Sequence, residues 1–225
     1  QRLLSGGFLS TYITEDFDGH RRGDAEIIWR AAQRNGLSPK VILATLQKEQ
    51  RLVTDLHPSQ NQLDFAMGYG VCDGCIYTDP ATQRFRGFAK QINSASLQFI
   101  EGYWNDLNTR QSTAVGFGVG KSSVIDNTIV IPSNRATAAL YSYTPHLAGN
   151  ASFVRIWQQW FGFEHPDGTL LRNQNNGSTW LIENGLRRAI TSKFVFNSRF
   201  RDAAAVRVEP SVIEAYAIGQ EISIP

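Results

Sequence analysis

One carboxylate, Glu49, stands where its helix calls for an apolar side chain. Residues 39–53 read as a single helix, with Ser38 able to cap it and Pro39 suited to its first position. At about 100° per residue, Ile42, Leu46, Glu49 and Val53 fall on one line, with Thr45 and Leu52 beside it. Ala44, Gln47 and Arg51 lie opposite. An acid on the core side loses hydration, which favours its protonated form, the state a general acid needs near neutral pH. The same spacing also suits a structural Glu paired with an Arg, or a stripe whose edge ends in solvent.

Cleavage of a glycosidic bond needs such an acid and a group that stabilises or traps the cationic sugar carbon. Asp55, Asp64, Asp73 and Asp79 all follow the helix, and each alone reads equally as a turn residue. Asp64 ranks first as a second carboxylate, because it lies among apolar neighbours just before the glycines of Gly68-Tyr69-Gly70. Glycines there let a backbone approach a ligand closely, or simply make a tight turn. Tyr69, Tyr103, Trp104, Tyr141 and Tyr143 offer flat faces with polar tips, suited to sugar rings as well as to the core. Tyr143 stands out because it ends a helix beside Thr144-Pro145-His146.

Other chemistries find little support. The two cysteines, Cys72 and Cys75, cannot complete a four-ligand zinc site. They fit a local disulfide that tightens the loop, with free thiols or a redox pair as alternatives. The four histidines are scattered, and no nucleophile elbow or phosphate-binding loop occurs, so no metal and no cofactor is expected. With 22 basic and 20 acidic residues the net charge is +2, which gives no basis for nucleic-acid binding. No apolar run approaches the ~20 residues of a membrane-spanning helix, so a soluble protein is expected; the expected state is a monomer. The sequence starts without Met or a basic-then-apolar leader, as it would after removal of a signal peptide or trimming of the terminus.

The elements that must position these residues follow from periodicity and punctuation. Asp24 is predicted to cap a helix over residues 25–35 closed by Asn35-Gly36, so that Arg22-Gly23-Asp24 reads as a helix start rather than an adhesion tripeptide. Phe85, Phe88, Ala89, Ile92, Ser96, Phe99 and Tyr103 recur at the spacing of one long core helix. Residues 112–119 and 128–131 suggest paired strands, Asn134 a cap for a helix ending before Pro145, and Phe153, Ile156, Trp157 and Trp160 another helix ending at Gly162. At 163–168 the character changes to short β-rich segments with turns at Asn176-Gly177 and Asn184-Gly185. The expected organisation is therefore 1–163 and 164–225. The fold class is α+β: a mainly helical domain with a small hairpin, then a small β-rich module at the edge of independent stability.

Three blocks, Leu46-Gln47-Lys48-Glu49-Gln50, Ala66-Met67-Gly68-Tyr69-Gly70 and the run 135–146 ending in Tyr143-Thr144-Pro145-His146, together resemble a lysozyme-like domain of bacterial secreted proteins. The pattern is similar to lytic transglycosylases and goose-type lysozymes over residues 27–162. The resemblance implies that Glu49 is the general acid for the β-1,4 bond between N-acetylmuramic acid and N-acetylglucosamine, as a transglycosylase or a muramidase. It implies that Met67, Gly68 and Tyr69 line the glycan cleft and that Tyr143 positions acid and sugar. Gln50 in place of the usual Ser, and Met67-Gly68-Tyr69 in place of Gly-Leu-Met-Gln, depart from the pattern. The last sixty residues are similar to short bacterial surface-protein repeats. The implied partner is peptidoglycan, and the implied place is secreted or at the cell surface. The rival expectation is a non-catalytic cell-wall glycan-binding or adhesion protein.

Overall fold

The computed structural model describes residues 6–71, 74–162, 165–201 and 203–223. The protein is α+β. Its internal packing divides it into two compact units, Gln1–Ile156 and Trp157–Pro225. This division falls inside the helix Leu147–Phe161, ahead of the break expected at 163/164.

In the first unit a 3-10 turn, Phe8–Thr11, precedes a hairpin of β1 (Ile13–Glu15) and β2 (Arg21–Gly23). The carboxylate of Asp16 is buried and accepts from Arg22 and Arg30, each at 3.0 Å, which ties the hairpin to α1 (Asp24–Asn35). The cap of α1 is Gly23, with no side-chain hydrogen bond, and not Asp24 as its type suggested. Asp24 is instead the first helical residue, and its amide is already spent on the Tyr12 carbonyl at 3.1 Å. Gly36, at φ 66°, ends α1 in the left-handed region that glycine tolerates.

After Ser38, whose hydroxyl accepts from the Lys40 amide, comes α2 (Pro39–Gln50), stopped by Arg51 at φ 59°. Ile42, Thr45 and Leu46 are buried, as the stripe predicted; the helix ends at Gln50 rather than at 53, and Leu52 and Val53 are buried from the turn beyond it. Ala44 is buried too, against expectation: α2 is enclosed on more than one side, and its smallest side chain takes the close approach. Short helices α3 (Gln60–Asp64) and α4 (Pro80–Gln83) lead to α5 (Phe88–Leu97), which packs on α1.

The long helix anticipated over 85–104 forms as one continuous run, displaced to 88–109 and irregular: α5 passes into a π-helical turn, Gln98–Trp104, and then α6 (Asn105–Thr109). Such wide turns recur at functional sites. Residues 112–119 form loop rather than strand. The hairpin is β3 (Ser123–Ile125) with β4 (Thr128–Val130), joined at Asp126-Asn127, both at positive φ as a type I′ turn demands. Then α7 (Arg135–Tyr143), capped by Asn134, and α8 (Leu147–Phe161) follow. Phe99, Leu107, Phe117, Ile125, Val130 and Ala138 form a core with Tyr103 and Tyr143 packed against it.

In the second unit, β5 (Leu170–Asn173), β6 (Thr179–Glu183) and β7 (Leu186–Ala189) form the expected meander. After α9 (Lys193–Arg199), β8 (Ala205–Val208) returns parallel to β5. After α10 (Pro210–Glu214), β9 (Ala217–Ile218) lies parallel to β7, giving the order β8-β5-β6-β7-β9. The sheet is buried on both faces: Leu170 and Leu181 pack with Val195 of α9, and Leu171 and Ile182 with Val212 and Ile213 of α10.

Candidate functional site

Glu49 sits in the last turn of α2 with its side chain 24% exposed, facing the backbone of Gly68. It is not a desolvated lone acid. The Lys48 ammonium, only 6% exposed, lies 2.6 Å from Glu49 Oε1, donates to Thr144 Oγ1, and stands 5.5 Å from the centre of the Tyr143 ring. A nearly buried cation needs such partners to offset lost hydration. The structural alternative for Glu49, an ion pair, is therefore what forms, with the neighbouring lysine rather than an arginine as its partner.

Two glycines let the 68–70 segment slide between side chains. Gly68 has φ 67°, and a Cβ there would lie 3.0 Å from Glu49 Oε2; Gly70 has φ 72°, and a Cβ there would lie 2.3 Å from the Phe85 ring. Only glycine satisfies both backbone and space at these positions. The Tyr143 hydroxyl donates to the Met67 carbonyl at 2.7 Å, and its ring stacks on Phe99 at 4.5 Å. Burial, and then the nearby Glu49 carboxylate, push the Tyr143 phenol well above its ordinary pKa, so it remains a donor. Burial raises Tyr103 in the same way, with Tyr69 a second cause. Asp126 accepts from the Leu147 amide and faces the His146 ring, which fixes the hairpin tip against the α7–α8 corner that carries Tyr143 and Thr144.

Sequence reasoning missed the residue that orders this loop. Gln91 of α5 is fully buried; its Oε1 accepts from the Met67 and Tyr69 amides at 3.2 and 2.9 Å. Its Nε2 donates to the Tyr69 and Phe85 carbonyls, both at 2.9 Å. Its signal was present in the sequence, since Phe88, Gln91 and Ala95 are spaced to share a helix face.

The structure brings Glu49, Met67, Gly68, Tyr69 and Tyr143 together, with Met67 fully buried beneath the loop. Among the described residues it does not add a second carboxylate from the candidates. Asp64 is held by Arg86 at 2.7 Å and by Gln60. Asp55 accepts from the His57 amide, which lowers its pKa, and Asp79 caps α4. Asp73 lies outside the described residues, as does Cys72 of the expected disulfide; Cys75 is disulfide-bonded. Among the described residues no three His, Cys, Asp or Glu side chains form a metal-binding group.

Beyond Tyr69 opens a groove of about 350 Å³ lined by Tyr69, Phe85, Ser94, Leu97, Gln98 and Glu101. Tyr69 meets Phe85 edge to face at 4.8 Å. Gly102 in the π turn leaves the space in which the Gln98 amide folds back, since a Cβ there would lie 2.4 Å from its Nε2. The result is a concave surface with aromatic walls, an exposed Leu97, and amide, hydroxyl and carboxylate groups for hydrogen bonding.

The family model described as LasA, N-terminal domain, matches residues 5–171, and the chain belongs to that family. No curated protein and no solved structure matches the chain. LasA is a staphylolytic protease, and its family is related to cell-wall lysis through peptide bonds. This overturns the expectation that Glu49 drives cleavage of the glycosidic bond. The ion pair with Lys48 and the commitment of Asp55, Asp64 and Asp79 elsewhere agree with the correction. The cell-wall setting stands in its broad form. Among the described residues, no helix is long and apolar enough to cross a membrane.

Proposed function

We propose that this chain is the peptidoglycan-recognising part of a secreted, LasA-type wall-lytic protein, and that it binds the wall without cutting the glycan. The groove beside Tyr69 carries this reading. Aromatic faces at Tyr69 and Phe85 suit the apolar faces of sugar rings, and Ser94, Gln98 and Glu101 suit hydroxyl and acetamido groups. The Gln91 amide holds the Tyr69 backbone in place before a ligand arrives, which lowers the ordering cost of binding.

In this reading the helical unit is a lysozyme-like scaffold turned to recognition. The α2 end, the Gly68 loop and the α7 end converge, but their polar groups are spent on one another. Lys48, Glu49 and Thr144 brace the loop from below, and the binding surface lies beside them.

Co-sedimentation with purified sacculi, stripped of anionic polymers, tests the proposal. The wild-type chain should pellet with them, and Leu97→Asp combined with Glu101→Gln should weaken retention at least tenfold with an unchanged melting temperature. Undiminished retention of that variant, or release of soluble glycan fragments by the wild-type chain, would contradict it.

A further inference from the structure

The second unit carries a groove of its own, of about 670 Å³. One wall is the β5–β6 hairpin, with Arg172, Ser178 and Thr179; the other is the start of α9, with Lys193, Phe196 and Asn197. Strand register explains the first wall. Arg172 pairs with Thr179 on β6 and with Arg207 on β8, and the Ile190 amide bonds the Thr179 carbonyl. Arg207, Arg172, Thr179 and Ile190 thus form one row across the sheet. Leu170, two residues before Arg172 and on the same face, packs with Val195 and Phe196, so the row lies on the α9 side.

Two arginines side by side on neighbouring strands, about 4.8 Å apart, repel each other, and Lys193 adds a third cation opposite. The groove is lined by no carboxylate among the described residues. Glu209, two residues beyond Arg207, is taken by the Gln174 amide, and Glu183 by Arg188. Arg172 spends its Nε on the Gly177 carbonyl at 3.3 Å, which orients the guanidinium fork and leaves its terminal nitrogens to donate. Around the cations stand hydroxyl and amide side chains, with the half-buried Phe196 ring between them.

We propose that this groove binds an anionic, hydroxylated polymer. Its oxyanion groups dock on Arg172, Lys193 and the adjacent Arg207, where the guanidinium forks match phosphate or carboxylate oxygens. Its hydroxyls meet Thr179, Ser178 and Asn197, and a carbon face of a sugar or polyol lies on Phe196. An occupant of this chemistry relieves the repulsion between the two arginines. The site lies wholly within the second unit and is independent of the groove at Tyr69.

Titration of the full chain with purified poly(glycerol phosphate), with polygalacturonate fragments, and with neutral dextran tests this. Saturable binding to either anionic polymer is expected, with none to dextran. Arg172→Gln combined with Lys193→Gln should weaken it at least tenfold, whereas Arg199→Gln combined with Arg201→Gln, which removes an equal charge at the end of α9 and just beyond it, outside the groove, should change it less than twofold. Binding of the glycerol phosphate polymer alone assigns phosphodiesters as the source of the oxyanion; binding of polygalacturonate, alone or as well, assigns carboxylates too. Binding of neither, equal binding of dextran, or wild-type affinity in a double variant with an unchanged melting temperature would overturn the proposal.

Discussion

The α2–Gly68 junction and the Arg172 groove both gather polar side chains, yet they use them in opposite ways. At the junction each group finds a partner within the protein: Lys48 with Glu49 and Thr144, Tyr143 with Met67, and Gln91 with three residues of loop backbone. Around the second groove, Arg172 and Lys193 line a surface with no carboxylate among the described residues, and Arg172 stands in register with the adjacent Arg207 on the neighbouring strand. A closed network holds shape, and its disruption is felt in stability. An open one holds a ligand, and its disruption is felt in binding.

Mutations can break or sharpen that contrast. The largest effect should come from Gln91→Ala. It strands four buried or half-buried backbone groups and leaves a cavity, and should destabilise the first unit by about 3–5 kcal/mol in urea unfolding. Asp24 follows. Its carboxylate is buried, with Oδ2 lacking a hydrogen-bond partner, and burial raises its pKa to about 6. Between about pH 4 and 6 the unfolded chain has released this proton while the folded chain retains it, so stability falls as pH rises through that window. Asp24→Asn should therefore stabilise by about 1–3 kcal/mol at pH 7 and by little at pH 4, read from melting curves at the two values.

Gly68→Ala should cost about 1–2 kcal/mol and should displace the Glu49 side chain, since it meets both a positive φ and a 3.0 Å approach. Tyr143→Phe, which removes only the hydroxyl on the Met67 carbonyl, should cost about 1 kcal/mol. Smallest of all should be Arg172→Gln, within about 0.5 kcal/mol in stability despite its loss of polymer binding. A large loss of stability there would erase the distinction between the two regions.

The same contrast explains what could be read from the sequence. The α2 stripe, the Ser38 and Asn134 caps, the Gly36 stop and the meander around Asn184-Gly185 are local patterns, and they form as their spacing predicts. The α+β class follows from them. Glu49, Gly68 and Tyr143, set in one place by the sequence blocks, do come together. The chemistry expected of Glu49 did not follow: the family match overturns it, and the contact that holds Lys48 at Thr144, ninety-six residues away, is invisible to periodicity. Gln91 broke an apolar stripe in the same way as Glu49, yet an amide suggests no reaction and so drew no notice. The parallel return of β8 to β5 is also non-local, and with it the Arg172–Arg207 row.

The central claim is that the surface beside Tyr69 recognises the wall. Chemical-shift mapping of the full chain with soluble, uncharged peptidoglycan glycan fragments tests it most directly. The largest shifts should fall at Tyr69, Ser94, Leu97, Gln98 and Glu101, with the amide of Gln91 following. Saturating shifts confined to other surfaces, or no shifts at millimolar fragment, would contradict the account.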